Sequence, residues 1–250
     1  MNSISFSNVS VRVTVDGSDA PKTLLHTVSL DLPEHRIGVI GANGSGKSTL
    51  LRLLNGLVEP SEGTVSVHGD DTVAAVRKVR STVGFVFTDP LSQLVMPTGR
   101  EDVELSLRRS IRNSKERSAR AEAVLDRFGL LHLADQSIYE LSGGERQLLA
   151  LAAVLAVDPT VLVLDEPSTL LDLRNRELLR HTVAGLEQQV IMSTHDLDLA
   201  LDMDRVLVVE SGRVVFDGGA AEGVARYRAL CAVGVDGDAL SGPVTGGAPT

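Results

Sequence analysis

Residues 36 to 49 read RIGVIGANGSGKST, and no other stretch limits so tightly what this 250-residue chain can fold into. The run RIGVIG has apolar residues at successive positions, which predicts a short strand buried on both faces. It passes directly into a loop of the pattern G-x-x-x-x-G-K-[ST], and KSTLLRLLNGL then takes up helical spacing. In a strand–loop–helix unit of this kind, Gly41, Gly44 and Gly46 let consecutive backbone N–H groups curl around phosphate oxygens without Cβ clashes. Ala42, Asn43 and Ser45 complete the curl, and Lys47, Ser48 and Thr49 open the helix. Lys47 can reach the β- and γ-phosphates as a point charge, and the Ser48 hydroxyl can ligate Mg²⁺. A glycine turn that merely caps a helix would not need lysine and serine at these offsets. The expectation is an α/β chain of the P-loop NTPase, RecA-like type, with a mixed sheet core that binds a nucleoside triphosphate.

Around this unit the pattern alternates. Residues 4 to 15 and 24 to 32 read as strands about the turn-rich DGSDAPK, and GTVSV and STVGFVF add more. From Glu101 to Gln136, Val103, Leu105, Leu107, Ile111, Val124, Leu125 and Phe128 recur at helical spacing among many charges. This predicts an inserted helical subdomain over about residues 101–158. TVLVLDEP is a strand ending in two acids. A helix over about Leu173–Leu186, the strand VIMST and a hairpin turning at Ser211-Gly212 close a single domain, residues 1–234. Residues 235–250 are Gly, Ala, Pro, Thr and Ser with little to bury, so a disordered tail is expected.

The charge balance narrows the partners. With 24 basic and 33 acidic residues the net charge is -9, which leaves no broad footprint for a phosphate backbone, so no nucleic acid is expected. The single Cys231 rules out an intrachain disulfide and a cysteine-based zinc site. The N-terminus lacks the basic and apolar blocks of a signal peptide, and the longest apolar run, Leu148–Val157, is too short for a membrane span. A soluble chain is expected, linked to any membrane through a partner.

Three further residues bear on chemistry. Successive strand residues point to opposite sides, so Asp165 and Glu166 at the end of VLVLDE should take different roles. Asp165 is placed to hold Mg²⁺, and Glu166 to polarise an attacking water as general base. His195 ends the next strand, one helix and one strand after Glu166, which sets the two strand ends side by side if the strands are parallel. It could hydrogen-bond the γ-phosphate, although a histidine alone at a strand end is also compatible with a structural role.

LSGGERQLLALAAVLAV, residues 141 to 157, poses a puzzle. Ser142, Gly143, Gly144 and Glu145 open a helix whose first N–H groups and dipole attract an anion, yet no lysine lies nearby. Capping by Ser142 explains the serine but not two helix-weakening glycines.

Taken together, these residues make the chain resemble the ATP-binding subunits of ABC transporters over about residues 3 to 230. GANGSGKST resembles their Walker A, LSGGERQ their signature, VLVLDEP their Walker B, STLLD their D-loop and STHD their switch histidine. The resemblance implies ATP and Mg²⁺ as ligands, ATPase activity, and head-to-tail pairing in which the signature of one subunit closes on the ATP of the other. Ser142, Gly143 and Gly144 would then grip the partner's γ-phosphate, and Asp172 of the D-loop would lie across the interface. Because every phosphate-handling motif is present in this one chain, a homodimer with two working sites is expected, with pairing to a similar subunit as the alternative.

Two positions depart from the family pattern. Thr88 stands where the family has the glutamine of the Q-loop, with Gln93 five residues on, and Val13 stands where an aromatic side chain usually stacks on adenine. Residues 88 to 103, TDPLSQLVMPTGREDV, are similar to the matching segment of energy-coupling-factor ATPases, which power uptake of vitamins and metal ions. That likeness implies a transmembrane coupling protein and a substrate-binding membrane subunit as partners, at the cytoplasmic face of the membrane. Asp89, Glu101 and Asp102 are candidate acids for an arginine-bearing partner helix, or alternatively complement a helix dipole. The wording is most similar to biotin-uptake ATPases. The competing functions are a soluble non-transport ABC ATPase and a slow regulatory ATP-binding module; one cassette, no room for a long coiled coil between Lys47 and Ser142, and an intact Glu166 and His195 stand against them.

Overall fold

Three central strands, RIGVI, VLVLD and QVIMS, are buried at every position, which requires a sheet covered on both faces. The computed structural model of the chain describes residues 3–14 and 20–238. In chain order, β1 (Ile4–Val13) and β2 (Lys22–Leu32) pair antiparallel, and β3 (Arg36–Ile40) leads into α1 (Lys47–Leu53). β4 (Glu62–Val67) and β5 (Asp70–Asp71) precede α2 (Val76–Thr82) and β6 (Val83–Val86). Three helices follow, α3 (Gly99–Leu107), α4 (Ser114–Arg127) and α5 (Gly143–Leu155). Then come β7 (Val161–Asp165), α6 (Leu173–Ala184), β8 (Gln189–Ser193), α7 (Leu197–Leu201), β9 (Arg205–Glu210), β10 (Arg213–Gly218) and α8 (Ala220–Asp238).

The strands form two sheets, a four-stranded one in the order β2-β1-β4-β5 and a six-stranded one in the order β10-β9-β3-β8-β7-β6. In the larger sheet β6, β7, β8, β3 and β9 run parallel and only β10 is antiparallel. Side-chain alternation divides its strands between two cores. Val161 and Val163 of β7, Ile191 of β8 and Leu207 of β9 face a core closed by the smaller sheet and α1. Leu162, Leu164, Met192 and Val208 face the opposite core, closed by α3 to α8. The length and apolar character of α5 follow from this, since Leu148 to Ala153 are all buried beneath the sheet.

The helix-period region of the sequence is helical as expected, with α3, α4 and α5 in mutual contact. The chain end differs from expectation. α8 continues to Asp238, four residues into the stretch read as tail, because Val224, Tyr227 and Leu230 anchor the helix on the core and adding a further turn to a formed helix costs little. The rest of that tail, residues 239–250, and much of the DGSDAPK turn lie outside the described residues. Among the described residues no helix is long and apolar enough to cross a membrane.

Candidate functional site

β3 ends at Ile40 and the phosphate loop springs from the carboxyl edge of the parallel sheet, where ligands of such sheets bind. A Cβ on Gly41 would sit 2.1 Å from the Val209 carbonyl, and Gly46, which precedes α1, has φ 110°, so both positions require glycine. Lys47 is only 5% exposed; its Nζ donates to the carbonyls of Gly41 at 2.8 Å and Ala42 at 3.1 Å. The loop is thus curled around its own lysine, and the ammonium group also lies 3.3 Å from Glu166 Oε1.

The loop borders a cavity of about 690 Å³, to which Asn43, Gly44, Ser48, Thr49, Thr88 and Glu166 all contribute. That is room for a nucleotide-sized ligand. The sequence reading missed several walls of this cavity. Lys22 and Thr23 at the start of β2 line it, as do Ser211 and Gly212 at the β9–β10 turn. Ser211 and Gly212 have φ of 48° and 73°, as a two-residue hairpin turn of mirror type demands, and the Gly212 N–H donates to the Ser45 carbonyl at 2.7 Å. The turn was legible in the sequence as a hairpin. Its grip on the phosphate loop was not.

Asp165 is the last residue of β7 and is completely buried. Its Oδ1 accepts from Ser48 Oγ at 2.9 Å and Ser193 Oγ at 2.7 Å, while Oδ2 receives no hydrogen bond and lies 3.8 Å from the Arg52 guanidinium. A buried carboxylate oxygen without a donor is costly and calls for a cation. With the Ser48 hydroxyl beside it, this oxygen set fits Mg²⁺, which takes one or two protein oxygens and leaves its other positions to phosphate and water.

Glu166 follows immediately but has left the strand. Its φ is 53°, a left-handed conformation that costs a residue with a Cβ roughly 1–2 kcal/mol. Its N–H donates to Ser193 Oγ at 3.0 Å and to the Ser193 carbonyl at 3.2 Å. Strand alternation therefore does not separate the two acids, contrary to expectation; a tight turn does, leaving Glu166 on the cavity wall and Asp165 buried behind Ser48. His195 Nδ1 donates to Glu166 Oε2 at 2.5 Å, and the imidazole is half exposed. The parallel pairing of β7 with β8, in register at Asp165 and Ser193, sets these chain ends together as the sequence spacing implied.

Ser142 caps α5 in a reciprocal capping box. The Glu145 N–H donates to Ser142 Oγ at 3.3 Å, and Glu145 Oε2 accepts from the Ser142 N–H and hydroxyl, each at 2.7 Å. Those two donors hold the Glu145 carboxyl below its usual range. None of Ser142, Gly143, Gly144 or Glu145 lines the chain's own phosphate cavity. They pack instead against the segment after Glu166: a Cβ on Gly144 would lie 2.9 Å from Asn175 Nδ2, and one on Gly143 would lie 3.5 Å from Leu170 Cβ. Asp172 accepts from the Asn175 N–H at 2.8 Å and caps α6. The neighbouring Leu173 is 80% exposed, an unusual apolar display beside the signature helix.

The remaining candidates divide. Thr88 lines the cavity and donates to the Asp165 carbonyl at 2.9 Å, whereas Gln93 points elsewhere, with Nε2 donating to the Ala150 carbonyl at 3.4 Å. Val13 ends β1 and is partly exposed. Of Asp89, Glu101 and Asp102, only Asp102 lines the groove formed by Val83, Phe85, Gln93, Val95 and Val154. Its carboxylate is buried and accepts from the Val95 and Met96 N–H groups, both at 2.9 Å. Asp89 caps the short turn at Pro90; Glu101, in the first turn of α3, accepts from Thr98 Oγ1 at 2.9 Å and donates its N–H to the same hydroxyl at 3.4 Å.

A phosphate loop, an acid pair at the adjoining strand end, a following histidine and a remote Ser-Gly-Gly helix start, all on a mixed sheet, define an ATP-binding cassette. The chain belongs to the ABC transporter family, whose profile matches residues 25–169. It is 46% identical over 211 residues to the biotin transport ATP-binding protein BioM of Rhizobium etli, an alignment covering 84% of this chain and 94% of that protein. It is 36% identical to the energy-coupling factor transporter ATP-binding protein EcfA1 of Halalkalibacterium halodurans, covering 91% and 83% of the two chains. Its structure is similar to that of the ATP-binding cassette MJ0796 in a dimeric post-hydrolysis state bound to ADP and Pi, with TM-score 0.79, 28% identity and 87% and 98% of the two chains covered.

Proposed function

We propose that this chain is the ATP-hydrolysing subunit of an energy-coupling-factor importer, with biotin the favoured cargo, and that two copies clasp ATP between them. One observation carries this reading: the phosphate loop and Glu166 line one cavity, Asp165 bonds to Ser48 and His195 to Glu166 at its wall, and Ser142 and its glycines stand outside it. The likeness to BioM and EcfA1 supports the transport role and the choice of cargo. Residues 1–234 act as one ABC ATPase domain with a helical subdomain over about residues 101–158.

In this reading Lys47 turns from the carbonyls of Gly41 and Ala42 to the β- and γ-phosphates, and the N–H groups of the loop hold the same oxygens. Ser48 and Asp165 would hold Mg²⁺, which would supply positive charge to offset that of the phosphates. Glu166 accepts a proton from the attacking water, and His195 holds the carboxylate in place from its second oxygen. Ser142, Gly143 and Gly144 of the second copy supply N–H donors to the γ-phosphate, so its loss on hydrolysis opens the pair. Asp172 and the exposed Leu173 lie at the seam. The groove bordered by Val83, Phe85, Val95 and Asp102 receives a helix of the transmembrane coupling protein, which places the subunit peripherally on the cytoplasmic face.

Purification of the native complex from membranes tests the transport reading: integral membrane proteins and bound biotin should accompany the chain. Recovery of the ATPase alone from intact membranes would count against it.

A further inference from the structure

The peptide group between Asp165 and Glu166 is clamped at both ends. Its N–H donates to Ser193 Oγ at 3.0 Å, and its carbonyl accepts from Thr88 Oγ1 at 2.9 Å, a contact across 77 residues of sequence. The orientation of that peptide fixes the start of the left-handed turn at Glu166, and the turn in turn decides where the carboxylate points. A left-handed residue with a Cβ persists only where its surroundings hold it. Ser193 holds one side and Thr88 the other. The Thr88 hydroxyl has one proton, committed to Asp165, so it can accept a hydrogen bond from a water in the cavity but cannot donate one.

We propose that Thr88 is a positioning residue for hydrolysis: by holding the Asp165 carbonyl it keeps Glu166 aimed between Lys47 and His195. The inference rests on the reading of Glu166 as general base, and adds a residue that acts through it rather than on substrate. It also explains how a short hydroxyl serves where a longer amide would be expected.

The test uses the full-length chain with Thr88→Val, Thr88→Ser and the double variant Thr88→Val/Glu166→Gln. Thr88→Val keeps the shape and loses the donor. Its kcat should fall about tenfold, the rate equivalent of one lost hydrogen bond, with KM for ATP unchanged. Thr88→Ser should restore the rate, and in the Glu166→Gln background Thr88→Val should cost nothing further, because residues acting as a unit are not additive. A crystal structure of Thr88→Val should show Glu166 rotated away from His195. Wild-type turnover in Thr88→Val, an additive loss in the double variant, failure of serine to restore the rate, or an unmoved Glu166 would each overturn the proposal. The crystallographic arm reads Thr88 independently of ATPase activity, whereas a wild-type chain that never hydrolyses ATP would instead sink the assignment of Glu166.

Discussion

His195 Nδ1 donates to Glu166 Oε2 across 2.5 Å and so ties together the ends of two neighbouring parallel strands. The other carboxylate oxygen of Glu166 faces the Lys47 ammonium at 3.3 Å. The proposed base is therefore braced on one side by a half-exposed imidazole and on the other by the phosphate-binding lysine.

Glu166→Gln should lower ATP turnover by roughly 10²–10⁴-fold while leaving ATP affinity intact, since the amide cannot accept the proton. Dimers should accumulate with ATP on size-exclusion chromatography. His195→Ala should lose less, because it orients the carboxylate without replacing it. Turnover in Glu166→Gln equal to wild type would remove Glu166 from its role.

Ser193→Ala addresses a hub that the motifs do not advertise. Its hydroxyl donates to Asp165 Oδ1 at 2.7 Å and accepts from the Glu166 N–H at 3.0 Å, both in the buried interior. Removal strips the donor from a buried carboxylate, and urea unfolding should show a loss of about 1–3 kcal/mol together with reduced turnover. A variant as stable as wild type would mean that water replaces the hydroxyl without penalty.

Ser142→Arg should block ATP-driven dimerisation yet leave nucleotide binding to the monomer unchanged, because Ser142 does not line the chain's own cavity. Titration of the monomer with a fluorescent ATP analogue reads the second half of this statement. Weakened monomer binding would place Ser142 in its own chain's site.

Burial raises the Asp102 carboxyl above its usual range, outweighing the N–H groups of Val95 and Met96 that favour the charged form. The folded chain thus holds that proton at a pH where the unfolded chain has released it. The stabilising contribution is complete below the unfolded carboxyl pKa and is lost as pH rises through the folded one. Asp102→Asn keeps an oxygen for both N–H groups and cannot titrate. As pH rises above the usual carboxyl range the urea midpoint of wild type should fall relative to that variant, and a gap that stays constant with pH would show that Asp102 does not titrate in this way.

Much of the site was legible because it is written locally. Glycines 41, 44 and 46 with Lys47 and Ser48 specify a loop whose function depends on its own backbone. The Ser142–Glu145 capping box and the Ser211-Gly212 turn are likewise contained within a few residues. The pairing of Glu166 with His195 was within reach because parallel strands separated by one helix have a nearly obligatory neighbour relation. Less visible were Lys22, Thr23 and Gly212 around the phosphate loop, since nothing in their own stretches marks them as near it. The surroundings of Asp89 and Glu101 were less visible too: both carboxylates accept from local backbone or hydroxyl donors at helix starts, outside the groove that Asp102 lines.

What the sequence by itself determined was the α/β class, the phosphate loop, the order of motifs and the two-sided burial of the central strands, because glycine freedom and apolar periodicity act over a few residues at a time. Only the tertiary structure decided the left-handed turn at Glu166, the grip of Thr88 and Ser193 on its peptide and the bracing of Ser45 by Gly212. Those contacts join segments far apart along the chain, and no local preference encodes them; they exist because packing two cores against one sheet brings the strand ends to a common edge.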